Sequence, residues 1–382
     1  MAKENKLPEN LFLHADGDYF FVACELSRRP ELRGQPVIVG ADRGIAVAMS
    51  PEAKALGVTR GLPVVQIKKL YPRVVILSHD FALYREISER MRDILRDYAT
   101  RVEVYSIDEC FAAVTPAEIK YFGSEVKFLQ EFKKEIENTL GVTYSLGLAR
   151  TKALAKLASK LEKPAGVVAL LSPRDEREAL ERTPIDDIWG IGRRTIPRLE
   201  RLGIKTAYDF IKYPLRSSKP FSELQQELSG VSLWDVEDNL DPRDQKSIQC
   251  TETFRPASTD RKIIWQELAK NAEGACEEAR ALRLLTNKVS FFVKSSEFKY
   301  RFGEVKLPVF TSDPGLVLSA IEPRLPALLK SGERIRSTGV ILRSLLREER
   351  AERDLFGAQE SAMKRTRVEE VADEIREKYG QQ

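Results

Sequence analysis

The chain's 382 residues predict a multidomain protein of mixed α/β and α+β class. Three observations carry that expectation. Over the first 170 residues, short β-branched runs alternate with helix-spaced segments, the pattern of a sheet carrying helices on one face. Residues 173–240 turn polar and helix-prone, with a glycine-flanked turn. After NLDPRDQKS (239–247), which reads as a linker, residues 248–346 return to long strand-like runs separated by two helical stretches. A prior of roughly 150 residues per domain gives two to four domains.

The elements follow in order. LFLHADG reads as a buried strand ending near Asp16, followed by a turn into a helix through Cys24 and Glu25. PVIVG (36–40) and IAVAM (45–49) suggest a hairpin. PEAKALGV (51–58) is a short helix with Pro51 at its first position, where a missing N–H costs nothing. VVILSHD (74–80) is a strand. Residues 81–99 form a helix whose inward face carries Ile87, Met91, Ile94 and Leu95. RVEVYSIDECFAAV (101–114) reads as two strands joined at Ser106–Glu109. A helix over 124–139, a strand over 142–149 and a helix over 151–163, stopped by Pro164, complete the first region. In the last region the strand SIQCTETF precedes a helix over 261–284. KVSFFVKS and KYRFGEVKLPV come next, then a helix over 314–329 and the strand STGVILRSL. Residues 347–382 form a charged, helix-prone and mobile tail.

Composition narrows the function. Charged residues are 31% and hydrophobic ones 42%, ordinary for a globular protein. No run approaches the ~20 apolar residues of a membrane span. The first residues, MAKENKLPENLFLH, lack the apolar core of a secretion signal, so a cytoplasmic protein without a membrane partner is expected. Cys24, Cys110, Cys250 and Cys276 form no CxxC pair and read as buried free thiols. With only His14 and His79 available, carboxylates must hold any metal, which favours a hard ion such as Mg²⁺. The net charge of +4 neither demands nor excludes nucleic acid.

Asp16 sits at a strand end, and Asp108 and Glu109 sit at a turn between strands. Brought to one sheet edge, the three would repel unless cations neutralised them. Two Mg²⁺ ions roughly 3.5–4 Å apart would do so and would clamp a phosphoryl transfer. Gly17, lacking a side chain, lets its carbonyl approach a metal. Asp18 reads as a solvated or helix-capping carboxylate. Spacing alone leaves a solvated Asp-Glu turn open, and favours it.

HADGDYFFVACE, SIDECF, KLASKLEKPAG and DDIWGIGRRTIPRLERLGIKT, in that order, resemble the sequence blocks of Y-family DNA polymerases; WGIGRR and SPEAKALGV are closer to the UmuC than to the DinB branch. The resemblance implies a right-hand polymerase. Its palm would cover 1–19 and 81–170, small fingers 20–80, a helix–hairpin–helix thumb 171–238 and an α+β little finger 248–346. It implies error-prone, template-directed translesion synthesis in the DNA damage response. Asp16, Asp108 and Glu109 match the catalytic metal-binding carboxylates and Gly17 the carbonyl donor, for two Mg²⁺ ions with Mn²⁺ as an alternative. Phe21 matches the steric-gate aromatic, Phe20 an aromatic beside the sugar, and Lys163 a lysine reaching the triphosphate. The family's NYEAR-like fingers motif reads SPEAK here. Lys54 can still supply charge, whereas Pro51 cannot supply a phenol.

Implied partners are primer–template DNA, a dNTP, a sliding clamp and a UmuD-derived accessory protein. Gly190-Ile191-Gly192 between predicted helices would let backbone N–H groups approach a phosphate, with Arg193 and Arg194 adding charge. From Ala281 to Leu346 there are eleven Lys and Arg against five Asp and Glu, a basic surplus suited to tracking a duplex. Phe291, Phe292 and Phe298 read as core residues of a strand, and Trp189 and Trp265 as packing residues. In the tail, Glu352-Arg353-Asp354-Leu355-Phe356 resembles the clamp-binding peptide QxxLF, with Leu355 and Phe356 as apolar anchors and Glu352 in place of Gln. Two other functions fit parts of the pattern. A catalytically silent, clamp-tethered adaptor on the same fold would not need the three acids. A nucleotide cyclase would have no use for the GIG turn or the basic last region.

Overall fold

The computed structural model describes residues 11–41, 44–214, 219–238, 241–351 and 357–379. The chain divides into two units, Met1–Leu240 and Asp241–Gln382. In the first unit the strands are β1 (Leu11–Gly17), β2 (Val37–Val39), β3 (Ala48–Met49), β4 (Val75–Leu77), β5 (Arg101–Val104), β6 (Glu109–Val114), β7 (Tyr144–Ala149) and β8 (Val167–Leu170). Five of them make one sheet in the order β5-β6-β1-β7-β8, with β1 antiparallel to both neighbours and β8 parallel to β7.

All seven residues of β1 are buried, because both faces of the sheet are covered. Leu11, Leu13 and Ala15 pack with Met91 and Leu95 of the helix Phe81–Tyr98 and with Phe128 and Phe132 of the helix Glu125–Leu140. Phe12 points the other way, into a cluster with Ala153, Leu154 and Leu157 of the helix Lys152–Leu161. The expectation of helices on one face is thus corrected: LFLHADG is apolar at both alternating sets of positions, which is how a strand buried on both faces reads. Gly147 lets the second layer approach. A Cβ there would stand 2.1 Å from the Ala155 carbonyl oxygen.

The helix Phe81–Tyr98 buries the expected Ile87, Met91, Ile94 and Leu95, and Asp80 caps it by accepting the Leu83 N–H at 3.0 Å. The helix Lys152–Leu161 ends two residues before the expected 163, which leaves Lys163 on a loop. A small second sheet has the order β3-β2-β4. β2 and β3 are antiparallel as a hairpin requires, but β3 begins only at Ala48, and Ile45 bridges to Pro63 instead. The strand β8 and the helices Val64–Leu70 and Pro116–Phe122 have no counterpart in the sequence reading; all three are short. Four short helices, Pro173–Arg182, Ile196–Arg201, Ala207–Lys212 and Lys219–Leu228, follow in the first unit.

The second unit is a four-stranded antiparallel sheet. β9 (Ser247–Ser258), β10 (Leu284–Ser295), β11 (Tyr300–Thr311) and β12 (Ile335–Arg347) lie in the order β11-β10-β12-β9. The helix Arg261–Ala281 covers one face through Ile264, Leu268, Ala272 and Ala275. It stops short of the expected 284 because Leu284 and Leu285 join β10. The helix expected over 314–329 is broken into Pro314–Ile321 and a 3₁₀ turn Leu325–Leu328, since Pro323 and Pro326 remove backbone donors.

The tail is helical where it is described beyond residue 357, as its composition suggests. Residues Ala358–Tyr379 form a helix that is docked on this unit. Its Gln359 amide accepts the Phe310 N–H at 3.0 Å and donates to the Phe310 carbonyl at 2.7 Å, on the edge strand β11. Buried Arg280 makes two hydrogen bonds to Asp373, at 2.6 and 3.0 Å, and one to the Ser312 carbonyl at 2.7 Å. Leu355 and Phe356 lie outside the described residues. Cys24, Cys110 and Cys276 are buried free thiols; Cys250 is only partly so.

Candidate active site

The edge of the five-stranded sheet brings the three acids together. In the β1–β6 pairing Asp16 stands opposite Glu109, and the Gly17 N–H donates to the Asp108 carbonyl at 2.9 Å. Ser106, in the turn before β6, donates to Asp108 Oδ1 at 2.5 Å and lies 3.3 Å from Glu109 Oε2. Two lysines face this edge. Lys163 Nζ is 2.5 Å from Asp16 Oδ1, and Lys156 Nζ is 2.6 Å from Glu109 Oε1. Burial pushes the Asp16 carboxyl up to about 6; Lys163 opposes that rise, and Glu109 and Asp108 add to it. The three acids therefore do interact electrostatically.

Behind them the chain has built a polar core that sequence reasoning missed. His14 is fully buried, with Nδ1 2.7 Å from Ser159 Oγ and Nε2 3.4 Å from Lys156 Nζ. Burial, then the charge of Lys156, holds its pKa well below the ordinary histidine value, so it is neutral at neutral pH. The Lys156 ammonium lies 4.5 Å from the centre of the Tyr105 ring. Tyr105 in turn accepts a hydrogen bond from Trp189 Nε1 at 2.8 Å. Trp189 is thus more than the packing residue it was read as. One signal was available: Lys152, Lys156 and Ser159 recur at helical spacing along one face of KALAKLASKL.

Asp18 is corrected. It is buried, accepting the Ser145 hydroxyl at 2.8 Å and the Ala165 N–H at 2.8 Å. It straps the loop after Lys163 to the sheet. Phe20, expected beside a sugar, is buried in the core beneath Gly17, where a Cβ would meet its Cδ2 at 2.7 Å. Phe21 is half-buried. Its ring stacks on Tyr84 at 4.6 Å and 17°, with Phe81 edge-on at 5.8 Å. Tyr84 is itself locked by a 2.8 Å hydrogen bond to Glu25. Lys54 is exposed on the helix Pro51–Ala55, outside this hydrogen-bonded cluster.

The donor set is one of hard oxygens, suited to Mg²⁺ or Mn²⁺. Among the described residues, no three ligating side chains stand together as a ready metal site. Asp16 and Glu109 are each turned to a lysine, so an incoming ion would have to compete with an ammonium. Gly190, at φ 83°, opens the GIG turn, Ile191 is buried, and Arg193 and Arg194 are exposed. The element before this turn is a single 3₁₀ turn, Ile185–Asp187, rather than the helix expected.

Three family models match. The impB/mucB/samB family covers residues 15–160, its helix–hairpin–helix motif 173–204, and its C-terminal domain 245–355. The chain belongs to the Y-family DNA polymerases. Y-family relatives align over nearly the whole chain. A protein named DNA polymerase IV from Desulfatibacillum aliphaticivorans is 32% identical over 98% of this chain and 95% of its own length. Protein UmuC of Salmonella typhimurium is 31% identical over 97% and 91%, and Protein ImpB of that species 33% over 87% and 82%. A solved Y-family chimera of Dbh and Dpo4 shares the fold, with a TM-score of 0.77 at 22% identity over 88% of this chain and 99% of its own. The Y-family architecture of mixed sheets with a helix–hairpin–helix motif is therefore that of this chain. No described helix is long and apolar enough to cross a membrane.

Proposed function

We propose that this chain performs error-prone translesion synthesis: it extends a DNA primer on a damaged template, using dNTPs, by two-metal nucleotidyl transfer. The observation that carries this reading is the sheet-edge group of Asp16, Asp108 and Glu109, with Lys156 and Lys163 on it. Two divalent cations held by these carboxylates and the Gly17 carbonyl would supply charge neutralisation at the reacting phosphate. Lys163, on its loop, exchanges Asp16 for the triphosphate when the nucleotide enters. Lys156 stays on Glu109, fixed by His14 and by the Tyr105 ring. Phe21 presents a rigid ring, backed by Tyr84, against the sugar. Arg193 and Arg194 beside the GIG turn hold backbone phosphates.

In this reading residues 1–19 and 81–170 are the palm, 20–80 the fingers, 171–238 the thumb and 248–346 the little finger. Among the described residues the fingers would contain the helix Phe20–Arg28, a 3₁₀ turn Pro30–Leu32, the three short strands β2–β4 and two further short helices, Pro51–Ala55 and Val64–Leu70, little bulk with which to test the shape of a nascent pair. That supports lesion tolerance at a cost in fidelity. A cytoplasmic location, a clamp held through Leu355 and Phe356, and a UmuD-derived accessory protein belong to the same proposal. The silent adaptor is not favoured, because the intact acid group would have no use in it.

Primer extension tests the reading. The purified chain with Mg²⁺ extends a primer opposite an undamaged and an abasic template. Asp16→Ala and Asp108→Ala each abolish extension while retaining DNA binding. Extension by either variant at the wild-type rate overturns the site assignment.

A further inference from the structure

The outer face of the second unit's sheet carries an aromatic cluster that the sequence reading assigned in part to the core. Phe298, Tyr300 and Phe302 are 61%, 49% and 61% exposed. Tyr300 and Phe302, two apart on the edge strand β11, stand 5.8 Å apart with rings 11° from parallel. Phe292 of β10 is the buried floor beneath them, 5.3 Å from Tyr300 and 5.6 Å from Phe302. Two glycines make this seating possible. A Cβ at Gly339 would stand 2.4 Å from the Phe292 ring, and one at Gly303 2.3 Å from the Phe291 ring behind it. Phe298, which corrects the core expectation, sits at φ 63° in the β10–β11 turn, a conformation rarely taken by a bulky side chain. The fold thus accepts local strain while leaving this ring in solvent.

Cations surround the rings. Lys294 Nζ is 4.6 Å from the Tyr300 centroid and 5.0 Å from that of Phe298, and the Arg336 guanidinium is 4.5 Å from Phe298. Among the described residues neither cation is ion-paired. The acids on this side, Glu297 and Glu304, are each neutralised by a lysine, Lys299 at 2.8 Å and Lys288 at 2.9 Å. A protein-docking patch would pair apolar surface with depleted charge. Exposed rings whose attendant cations have no carboxylate partner among the described residues fit a ligand that is itself aromatic and anionic: its base takes the cation's place on the ring and its phosphate takes the cation.

We propose that Phe298, Tyr300 and Phe302 form a stacking platform for unpaired bases of single-stranded DNA, with Lys294 and Arg336 holding the intervening phosphates. The proposal rests on the DNA-polymerase reading and deepens it: beyond tracking duplex by charge, this sheet face grips single strand by stacking. Such stacking tolerates any base, because every base has a π-face.

Fluorescence anisotropy with the full-length chain tests this, using labelled oligothymidylate and a duplex of equal length across a salt series. Tyr300→Ala/Phe302→Ala is expected to weaken single-strand binding about 10-fold and leave duplex binding unchanged. The salt slope stays the same, since no phosphate contact is lost. Lys294→Gln/Arg336→Gln instead flattens the slope by about 1.4, two phosphate contacts at ~0.7 each. Tyr300→Trp/Phe302→Trp retains binding. Undiminished single-strand binding by the double-alanine variant overturns the platform, as does an equal loss on both DNAs. A patch reserved for a protein partner would give the first of these results. Primer extension by the same preparations separates the two readings. If wild type does not extend, the polymerase assignment fails; if it extends while the alanine variant still holds single strands, only the platform fails.

Discussion

Phe21→Ala should convert the enzyme from a dNTP-selective to a weakly selective polymerase without unfolding it. The ring is half-buried, so its removal forfeits part of the 3–5 kcal/mol typical of a core Phe→Ala change, about 2 kcal/mol. The helix Phe20–Arg28 keeps its anchors in Phe20, Val22 and Cys24, all buried. Tyr84 and Phe81 behind the ring prevent it from swinging away from an added hydroxyl. Forcing one extra heavy atom against a fixed wall costs about 3 kcal/mol. At 1.4 kcal/mol per tenfold, that is roughly a 100-fold discrimination. Single-nucleotide insertion with rNTP and dNTP in parallel reads the ratio of their kcat/KM values. The variant should lose about two orders of magnitude of that ratio, with dNTP use changed by less than tenfold. Tyr84→Leu, which removes the backing, should lose part of it. An unchanged ratio in a folded variant would refute the reasoning and make Phe21 a packing residue.

Further outcomes follow from other contacts. Lys152→Met strands the buried Glu103, whose carboxylate Lys152 meets at 2.6 and 2.8 Å, and should cost about 3–5 kcal/mol in urea unfolding. Glu103→Gln added to it should restore much of that, and no restoration would show that the pair is not the source. Lys163→Ala should raise the KM for dNTP more than it lowers kcat, measured in steady-state insertion. The His14 pKa is depressed in the folded state, so the unfolded chain takes up that proton first as pH falls through about 6.5, and stability drops. Compared with His14→Gln, wild type should lose about 1.4 kcal/mol between about pH 7.5 and about pH 5.5. Asp16, with its pKa raised, acts in the opposite sense in both proteins and cancels in the comparison.

What the sequence made legible was local or repeated in sequence blocks. The helix Phe81–Tyr98 was readable because its apolar period and its Asp80 cap are adjacent in the chain. Asp16, Asp108 and Glu109 stood out through the words around them. The rest depends on distant pairing. His14 meets Ser159 and Asp18 meets Ala165, contacts between positions about 145 residues apart that no period encodes. Asp18 looked solvated because a carboxylate usually is, and only the fold supplies the two donors that make its burial affordable. Strand β8 escaped notice as four apolar residues with no alternation. Phe298 read as core because its neighbours Phe291 and Phe292 are core, yet the turn rotates it into solvent.

The grip of Gln359 on Phe310 bears on what the edge of this sheet can pair with. β11 is the outermost strand of its sheet, and such a strand is a template for pairing with another copy. The glutamine amide imitates a neighbouring peptide group, taking up both hydrogen-bonding groups of Phe310 with a side chain that cannot propagate a sheet. Arg280 and Asp373 then hold the helix so that this plug stays seated. The helix Ala358–Tyr379 thus closes the edge at Phe310 to another strand, and a chain without that helix is expected to be stickier along β11.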